Sequence, residues 1–387
     1  YMLVNHTRGS NINRNLLLYS TDKARSWQVY ALPHPYGFSE WAFFEVPDSQ
    51  SRMTGPPTIR IFGGGFDGGS PITVIKPTKT ASGGLSLGPA TVAVNSSRAR
   101  SGVLQAGQAN ATATVGDTTY LAYLSLDPIQ GLAGTPQFIM SYNNITGQTI
   151  SSPRLIGGGG SGAPDAHNAP AIAVDSKGYI HAILGAHHGR FEYTRSNQPN
   201  SIDAGFTPPT FIGKNPSSGG YTYISMVIDQ DDTIHVVARY SGDNNRWALD
   251  YLRKKDGEPW EDLGHLVRTY HANYSTWDQR LTIDKLGRLF LRYSFYGDQL
   301  TDAEAAAYRA KWPDEEISRI SGSSYWNGIQ HHDPVILMSD DGGDTWRIAT
   351  TEDFLAGIVP EPACLIVWVG GVLLAGRRLR RCDAGRL

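Results

Sequence analysis

The clearest structural signal in the sequence lies in one stretch, Asp165-Ala-His-Asn-Ala-Pro-Ala-Ile-Ala-Val-Asp-Ser-Lys-Gly-Tyr-Ile-His-Ala-Ile-Leu-Gly-Ala-His-His-Gly189. Apolar runs flank a turn that begins at Asp175, and this arrangement predicts a β-hairpin. The hairpin carries several imidazoles, and its pattern returns downstream with different polar residues. We therefore expect a repeat to organise the chain.

Three copies of the hairpin align on their turn aspartates. The turn residues Asp175, Asp229 and Asp284 are 54 and 55 residues apart. This period exceeds a two-stranded unit and fits a four-stranded propeller blade. The copies are Ala171-Ile-Ala-Val-Asp-Ser-Lys-Gly-Tyr-Ile-His-Ala-Ile-Leu-Gly185, Ser225-Met-Val-Ile-Asp-Gln-Asp-Asp-Thr-Ile-His-Val-Val-Ala-Arg239 and Arg280-Leu-Thr-Ile-Asp-Lys-Leu-Gly-Arg-Leu-Phe-Leu-Arg-Tyr-Ser294, with a fainter copy at 111–123.

Two further segments have the pattern of an Asp-box turn. Ser339-Asp-Asp-Gly-Gly-Asp-Thr-Trp346 fits Ser-x-Asp-x-Gly-x-Thr-Trp, and Ser20-Thr-Asp-Lys-Ala-Arg-Ser-Trp27 is a degenerate version. In such a turn the Asp and Ser/Thr side chains bond their own backbone and the Trp packs between strands. These segments favour a propeller-type hairpin and carry no information about chemistry.

The composition agrees with a turn-rich all-β protein. The 387 residues include 43 Gly, 22 Pro and 19 Tyr, and only 18% are charged. About 355 residues precede the C-terminal tail, and blades of ~50–55 residues would number six to seven. We predict a seven-bladed β-propeller as one domain over residues 1–355, with a short helical insertion from Thr301 to Trp312 that Pro313 ends.

Charge and cysteine content limit the possible ligands. The net charge of -2 argues against nucleic acid as a partner, because neutralising phosphates requires a basic surface. The two cysteines, Cys364 and Cys382, lie in the tail, so we expect no Cys-ligated metal in the body and no cofactor in the chemistry. A structural metal bound by His271, His331 or His332 stays open, although exposed histidines are the simpler interpretation.

The tail at 356–387 has three parts in a fixed order. Val359-Pro-Glu-Pro362 precedes the apolar run Ala363–Ala375, and an arginine cluster follows. The run is shorter than the ~20 residues that span a bilayer. The order resembles the PEP-CTERM sorting signal of Gram-negative bacteria, which implies export machinery as a partner and a secreted, cell-surface or outer-membrane location. A terminal core helix is the alternative. The arginines are Arg377, Arg378, Arg380 and Arg381.

Strand parity selects candidate site residues from the repeats. The innermost strands of a propeller surround a central axis, so matching positions in successive blades face one pocket. Counted from the turn aspartates, His187, Arg239 and Arg292 all lie at even positions and face the same way, whereas His188 has the opposite parity.

Three other histidines divide into two kinds. His181 and His235 occupy the same position of consecutive copies, and a repeated residue is typical of the scaffold. His167 precedes its strand in a polar segment, and its counterparts in the other copies are Tyr221 and Thr276, so a histidine unique to this copy is a candidate for the site.

The combination of His167, His187, Tyr223 and Arg239 favours an elimination over a hydrolysis. Glycoside hydrolysis requires two carboxylates, and no such pair stands out in the innermost positions. β-Elimination from a uronate requires a cation that neutralises the carboxylate, together with a Tyr or His that takes the C5 proton and another group that protonates the leaving oxygen.

These residues resemble those of the BNR-repeat polysaccharide lyases typified by ulvan lyases of polysaccharide lyase families 24 and 25, which are seven-bladed propellers. The likeness extends over roughly residues 160–300 and is thin elsewhere. It implies that His167 and His187 are the catalytic histidines, Tyr223 the acid/base and Arg239 the neutralising group. His188 would replace His187 if the loop were shifted by one residue. The structural zinc that some members hold partly by cysteine cannot be carried over.

The resemblance implies a secreted enzyme that cleaves an acidic, ulvan-like and sulfated polysaccharide, leaving 4,5-unsaturated uronate ends. Aromatic rings would stack on the sugars and arginines would pair with sulfate or carboxylate. Expected substrate-binding residues are Asn168, His188, Arg190, Tyr240, Arg246, Arg292 and Trp326. Two alternatives stay open: a non-catalytic glycan-binding surface propeller and a sialidase-like glycoside hydrolase, for which Thr58-Ile-Arg-Ile-Phe62 is a weak echo of the required arginine motif.

Overall fold

The computed structural model describes most of the chain between residues 1 and 356. For some strand residues near the gaps, only the backbone is described. The residues outside the description are 9–11, 23–24, 34–40, 45–55, 64–67, 103–109, 161, 216–218, 244–245, 269–275, 285, 297–302, 304–305, 308–309, 311–317, 321–327, 331 and 357–387.

Six antiparallel sheets of three to five strands follow one another along the described residues. Sheet 1 contains β1 (Met2–Arg8), β2 (Ile12–Tyr19) and β3 (Gln28–Ala31). Sheet 2 contains β4 (Trp41–Phe44), β5 (Ile59–Phe62), β6 (Ile72–Ile75) and β9 (Ala90–Val94). Sheet 3 contains β10 (Ala99–Arg100), β11 (Thr112–Val115), β12 (Thr118–Ser125), β13 (Thr135–Asn143) and β14 (Thr149–Gly159).

The second half of the chain repeats this plan. Sheet 4 contains β15 (Ala171–Val174), β16 (Ile180–Leu184), β18 (Phe191–Gln198), β19 (Ser201–Phe206) and β20 (Thr210–Ile212). Sheet 5 contains β17 (His187–Gly189), β21 (Tyr221–Ile228), β22 (Ile234–Asp243), β23 (Arg246–Lys254) and β24 (Glu261–Arg268). Sheet 6 contains β25 (Thr276–Ile283), β26 (Leu289–Tyr296), β29 (His332–Ser339) and β30 (Arg347–Ile348). Smaller elements are the pairs β7 (Thr78–Lys79) with β8 (Leu85–Ser86) and β27 (Ser318–Ile320) with β28 (Gly328–Gln330), and helix α1 (Thr351–Ala356).

The repeated hairpins turn at the aspartates that align the sequence. The Oδ1 atoms of Asp175, Asp229 and Asp284 each accept backbone N–H groups two and four residues further on, at 2.7–3.0 Å. A carboxylate that satisfies the amides of its own turn stabilises a tight connection between strands. The three hairpins, β15–β16, β21–β22 and β25–β26, therefore share one turn chemistry.

The repeated histidines are part of this scaffold. His235 Nε2 lies 3.0 Å from Asp229 Oδ2, and its Nδ1 lies 2.6 Å from the Tyr251 hydroxyl. His181 makes the same two contacts one sheet earlier, with Asp175 at 3.1 Å and the Tyr193 hydroxyl at 2.7 Å. Both imidazoles tie a turn to a strand of the same sheet, which is the structural role that their repetition predicts.

The two segments with the Asp-box pattern have matching hydrogen bonds. Asp341 Oδ1 accepts from Ser339 Oγ at 2.8 Å and from Thr345 N at 3.0 Å. Asp22 Oδ1 accepts from Ser20 Oγ at 2.8 Å and from Ser26 N at 2.9 Å. The same turn geometry thus occurs near both ends of the described chain.

The core lies between consecutive sheets. Apolar residues of each sheet pack against those of the next, from sheet 1 on sheet 2 through to sheet 5 on sheet 6. The strands β11, β15, β21 and β25 are neighbours in that order, so they form the inner edge of the stack. Face-to-face packing of successive sheets around inner strands is the arrangement of propeller blades.

The predicted all-β fold is confirmed, while other predictions extend beyond the described residues. Six sheets are described, so the seventh blade stays a prediction. In the predicted insertion at 301–312, the described residues 303, 306, 307 and 310 are helical. The sorting-signal motif at 359–381 lies outside the described residues. Among the helices that are described, none has the length and apolarity to cross a bilayer.

Candidate active site

The segment that carries His167 leads into β15 of sheet 4 and is hydrogen-bonded to strands of sheet 3. Asn168 Nδ2 donates to Thr135 Oγ1 at 2.8 Å and to the Gly159 carbonyl at 3.0 Å. Gly185, which follows β16, lies directly against this segment, and a Cβ at position 185 would lie only 2.3 Å from the Ala169 carbonyl oxygen. A side chain at 185 would push the His167 segment away, so glycine is required there.

The paired strands β17 and β21 each contain a bulge. His188 is the extra residue of β17, and Tyr223 is the extra residue of β21 in its pairing with β22. Both have a left-handed backbone, with φ of 56° and 61°. Such bulges re-aim side chains at functional sites. Thr222 Oγ1 accepts from His188 N at 3.0 Å, and Gln279 Nε2 donates to the Tyr223 carbonyl at 2.8 Å.

These local features bring together the four residues expected to be catalytic. The ring centres of His167 and His187 are 4.4 Å apart and stacked, and those of His167 and Tyr223 are 6.0 Å apart. The Arg239 Cζ lies 4.4 Å from the centre of the Tyr223 ring. Imidazole, phenol and guanidinium groups from four separate segments thus form one cluster.

A carboxylate that the sequence analysis did not select connects the two imidazoles. Asp165 Oδ1 lies 2.6 Å from His167 Nδ1 and accepts from His167 N at 2.8 Å. Its Oδ2 lies 2.8 Å from His187 Nδ1. Burial by itself raises the pKa of Asp165, but the hydrogen bonds from His167 and His187 outweigh it and hold that pKa well below its ordinary value. Asp165 is therefore ionised at neutral pH.

Arg239 is buried between two aromatic rings. Its Cζ lies 4.1 Å from the Trp247 ring centre and 4.4 Å from that of Tyr223, and the residue is 0% exposed. Cation–π contacts of this kind strengthen when water is excluded. The positive charge is therefore held directly beside the phenol of Tyr223. Trp247, on the strand after Arg239, is a second site residue that the sequence analysis missed.

His188 lies next to the cluster in a different environment from His187. Its Nδ1 lies 2.9 Å from Ser241 Oγ, and its ring meets Trp247 edge to face at 5.3 Å. Desolvation, followed by the charges of His187 and Arg239, lowers the pKa of His188 to about 4. His187, and not His188, shares Asp165 with His167, which favours His187 as the second histidine of the site.

Two of the predicted substrate-binding residues are buried in the scaffold instead. Asn168 is 3% exposed, and its amide donates to Thr135 and Gly159 at the ends of β13 and β14. Tyr240 is 4% exposed and packs against Tyr221 with ring centres 5.2 Å apart. Successive strand residues point to opposite faces, so the Tyr240 side chain points away from the site and the Arg239 side chain points into it.

Among the other predicted substrate-binding residues, Arg292 lines a separate cavity, Arg190 packs against an aromatic ring, and the rest are described only in part or not at all. Arg292 pairs with Arg280 across β25 and β26 and lines a separate cavity of about 530 Å³ with Phe290. The Arg190 Cζ lies 4.2 Å from the Phe211 ring centre. Trp326, His271 and His331 lie outside the described residues, and only the backbone is described for Arg246 and His332.

The fold and the cluster define a class of protein: an all-β array of blade-like sheets with a histidine, tyrosine and arginine site at its inner edge. The chain belongs to the BNR repeat-containing family, whose model matches residues 119–368. No curated protein sequence matches it.

Solved structures of carbohydrate-active enzymes are similar to the chain at low identity. A polysaccharide lyase, a PL25 ulvan lyase, is 16% identical over 62% of this chain, with a TM-score of 0.42. A Hadza microbial sialidase is 13% identical over 76%, with a TM-score of 0.39. The chain spans 54% of the length of each of these two proteins. A GH43_1 enzyme from Xanthomonas citri is 12% identical, covering 79% of this chain and 90% of its own, with a TM-score of 0.39.

Proposed function

We propose that the protein is a polysaccharide lyase that cleaves an acidic, uronate-containing polysaccharide by β-elimination. One observation carries the proposal: two stacked imidazoles, a phenol and a buried guanidinium meet in one cluster. These groups can take a proton, return one and offset negative charge without a second carboxylate.

The site must remove the C5 proton, protonate the leaving oxygen and stabilise the negative charge that develops. The C5–H bond breaks as a base takes the proton, its electrons form the C4=C5 double bond, and the C4–O bond breaks as the leaving oxygen gains a proton. Negative charge develops on the uronate carboxylate during proton removal, so a nearby cation lowers the barrier. We assign the proton transfers to His167, His187 and Tyr223, and the charge stabilisation to Arg239.

The position of Arg239 refines its proposed role. The guanidinium is buried behind the Tyr223 ring, where a charge interacts more strongly than in water. It therefore stabilises negative charge that forms on the phenol or on a carboxylate bound against it. Trp247 holds the guanidinium from the other side.

The charged groups of the cluster favour elimination over glycoside hydrolysis. A hydrolase acts through two carboxylates about 5–9.5 Å apart that flank the scissile bond. The carboxylate of this cluster, Asp165, is engaged with both imidazoles. It is therefore bonded as a partner of the histidines and not as an independent acid.

The finer features of the proposal rest on the sequence motifs. We propose an ulvan-like, sulfated substrate and products with 4,5-unsaturated uronate ends, formed without a cofactor. The catalytic domain would be a seven-bladed propeller over residues 1–355. The tail at 356–387 would direct the enzyme through the export machinery to the cell surface or the medium.

The test is an ultraviolet assay for the unsaturated uronate on a panel of polyuronates that includes ulvan. Wild type should generate absorbance on at least one polymer, and His167→Ala and Tyr223→Phe should abolish most of it. Asp203→Asn, which changes an exposed carboxylate, serves as the matched control. Polymer retention without chain shortening would instead indicate a glycan-binding propeller, and release of a fluorescent aglycone from a sialoside would indicate a hydrolase.

A further inference from the structure

The carboxylate of Asp165 imposes a proton arrangement on both histidines. An ionised carboxylate only accepts hydrogen bonds, so an imidazole nitrogen bonded to it carries a hydrogen. The Nδ1 atoms of His167 and His187 lie 2.6 and 2.8 Å from different oxygens of Asp165. Both Nδ1 atoms therefore carry hydrogen, and both Nε2 atoms are left as the sites that exchange protons.

We infer that Asp165 is a positioning residue that fixes the tautomers of His167 and His187. The two rings are stacked with centres 4.4 Å apart, so a single carboxylate reaches the Nδ1 atoms of both. Both Nε2 atoms are thereby left to take and return protons, which an elimination requires. The activity arm of the inference therefore rests on the proposed function.

The neighbouring His188 has a different partner and does not bond to Asp165. Its ring centre lies 4.4 Å from that of His187 with the ring planes tilted by 31°, and its Nδ1 lies 2.9 Å from Ser241 Oγ. The lowered pKa of His188 leaves it neutral at neutral pH. Tyr223 faces His167, and the Arg239 charge lies behind Tyr223.

Metal coordination is the competing explanation of the same three side chains. Asp165, His167 and His187 have ligand atoms within 4.8 Å of one another. However, two ligands of a tetrahedral zinc with bonds of about 2.0 Å are roughly 3.3 Å apart. The nitrogen–oxygen distances of 2.6 and 2.8 Å are shorter and are those of hydrogen bonds.

The substitution Asp165→Asn is expected to affect the two histidines differently. The backbone N–H of His167 also bonds to Oδ1, so the carbonyl oxygen of the asparagine would stay on that side. Its NH₂ group would then face His187, and a donor cannot bond to a protonated Nδ1. His187 is expected to change to the Nε2–H tautomer, while His167 keeps its Nδ1–H.

The experiment measures tautomers and activity in the full-length protein. Nitrogen-15 spectra of histidine-labelled wild type should show protonated Nδ1 on both residues, assigned with His167→Gln and His187→Gln. Asp165→Asn should shift the His187 signals alone and lower kcat by roughly 10²–10⁴-fold with a smaller change in KM. Asp203→Asn should change neither, and thermal unfolding verifies that each variant is folded.

The possible outcomes discriminate between the explanations. Unchanged His187 signals in folded Asp165→Asn would overturn the inference. So would a titration in which wild type binds one equivalent of Zn²⁺ and loses the Nδ1 protons, because the cluster would then be a metal site. Wild type with both Nδ1 atoms protonated but no lyase activity on any polymer would refute the proposed function and leave the positioning role supported.

Discussion

Replacing Arg239 by methionine removes a buried positive charge and keeps a side chain of similar length. The Arg239 Cζ lies 4.4 Å from the centre of the Tyr223 ring, and the residue is 0% exposed. At an effective dielectric constant of about 20, a unit charge at this distance stabilises a full negative charge on the ring by about 4 kcal/mol. The transition state carries part of that charge, so kcat/KM is expected to fall by roughly 10²–10³-fold.

The assay is the ultraviolet progress curve on the polymer that wild type cleaves. Arg239→Met also loses two cation–π contacts, so its unfolding temperature should fall, and activity is compared well below it. The matched variant Trp247→Phe keeps the Arg239 charge and an aromatic ring beside the guanidinium. Its kcat/KM should stay within about tenfold of that of wild type. Wild-type activity in folded Arg239→Met would refute the electrostatic reasoning.

Three further predictions concern the histidines and the scaffold. His187→Ala should abolish most lyase activity and His188→Ala much less, because His187 bonds to Asp165 whereas His188 bonds to Ser241. Equal losses in steady-state assays would contradict this. The pKa of His188 is about 4 in the folded protein and about 6.5 in the unfolded chain. Between these pH values His188 is protonated in the unfolded chain but not in the folded protein, so the free energy of unfolding should decrease as the pH falls through this range. Thermal unfolding of His188→Gln should show a weaker fall. Tyr251→Phe leaves Nδ1 of the fully buried His235 without its hydroxyl partner. The free energy of unfolding, measured with denaturant, should fall by about 1–3 kcal/mol, whereas substitutions of exposed residues should change it little.

The repeat was predictable because its determinants are local. A turn aspartate bonds amides two and four residues away, and strand alternation is visible within one hairpin, so Asp175, Asp229 and Asp284 locate three hairpins from sequence. The repeated positions of His181 and His235 likewise indicate scaffold. The number of blades depends on how distant segments pack against one another, and local patterns do not contain that information.

The site was predictable in part, for a related reason. Strand parity assumes that side chains alternate regularly along each strand. This assumption correctly grouped His187 with Arg239, but it also selected Arg292, whose side chain lines a separate cavity. The bond from Asp165 to the His167 amide is a local turn contact that the sequence could have suggested. Its second bond, to a residue 22 positions away, depends on tertiary structure.

The strained residues His188 and Tyr223 connect the repeat to the chemistry. Regular hairpins present the same faces in every copy, so a unique site requires local departures from the repeat. Each left-handed residue costs roughly 1–2 kcal/mol, and here each is held by a bond from a neighbouring strand, to Thr222 and to Gln279. Because β17 joins sheet 4 to sheet 5 and Gln279 belongs to sheet 6, three consecutive sheets impose this backbone. The cluster therefore arises at the junctions between copies, where the repeat supplies rigidity and its irregularities supply the reactive groups.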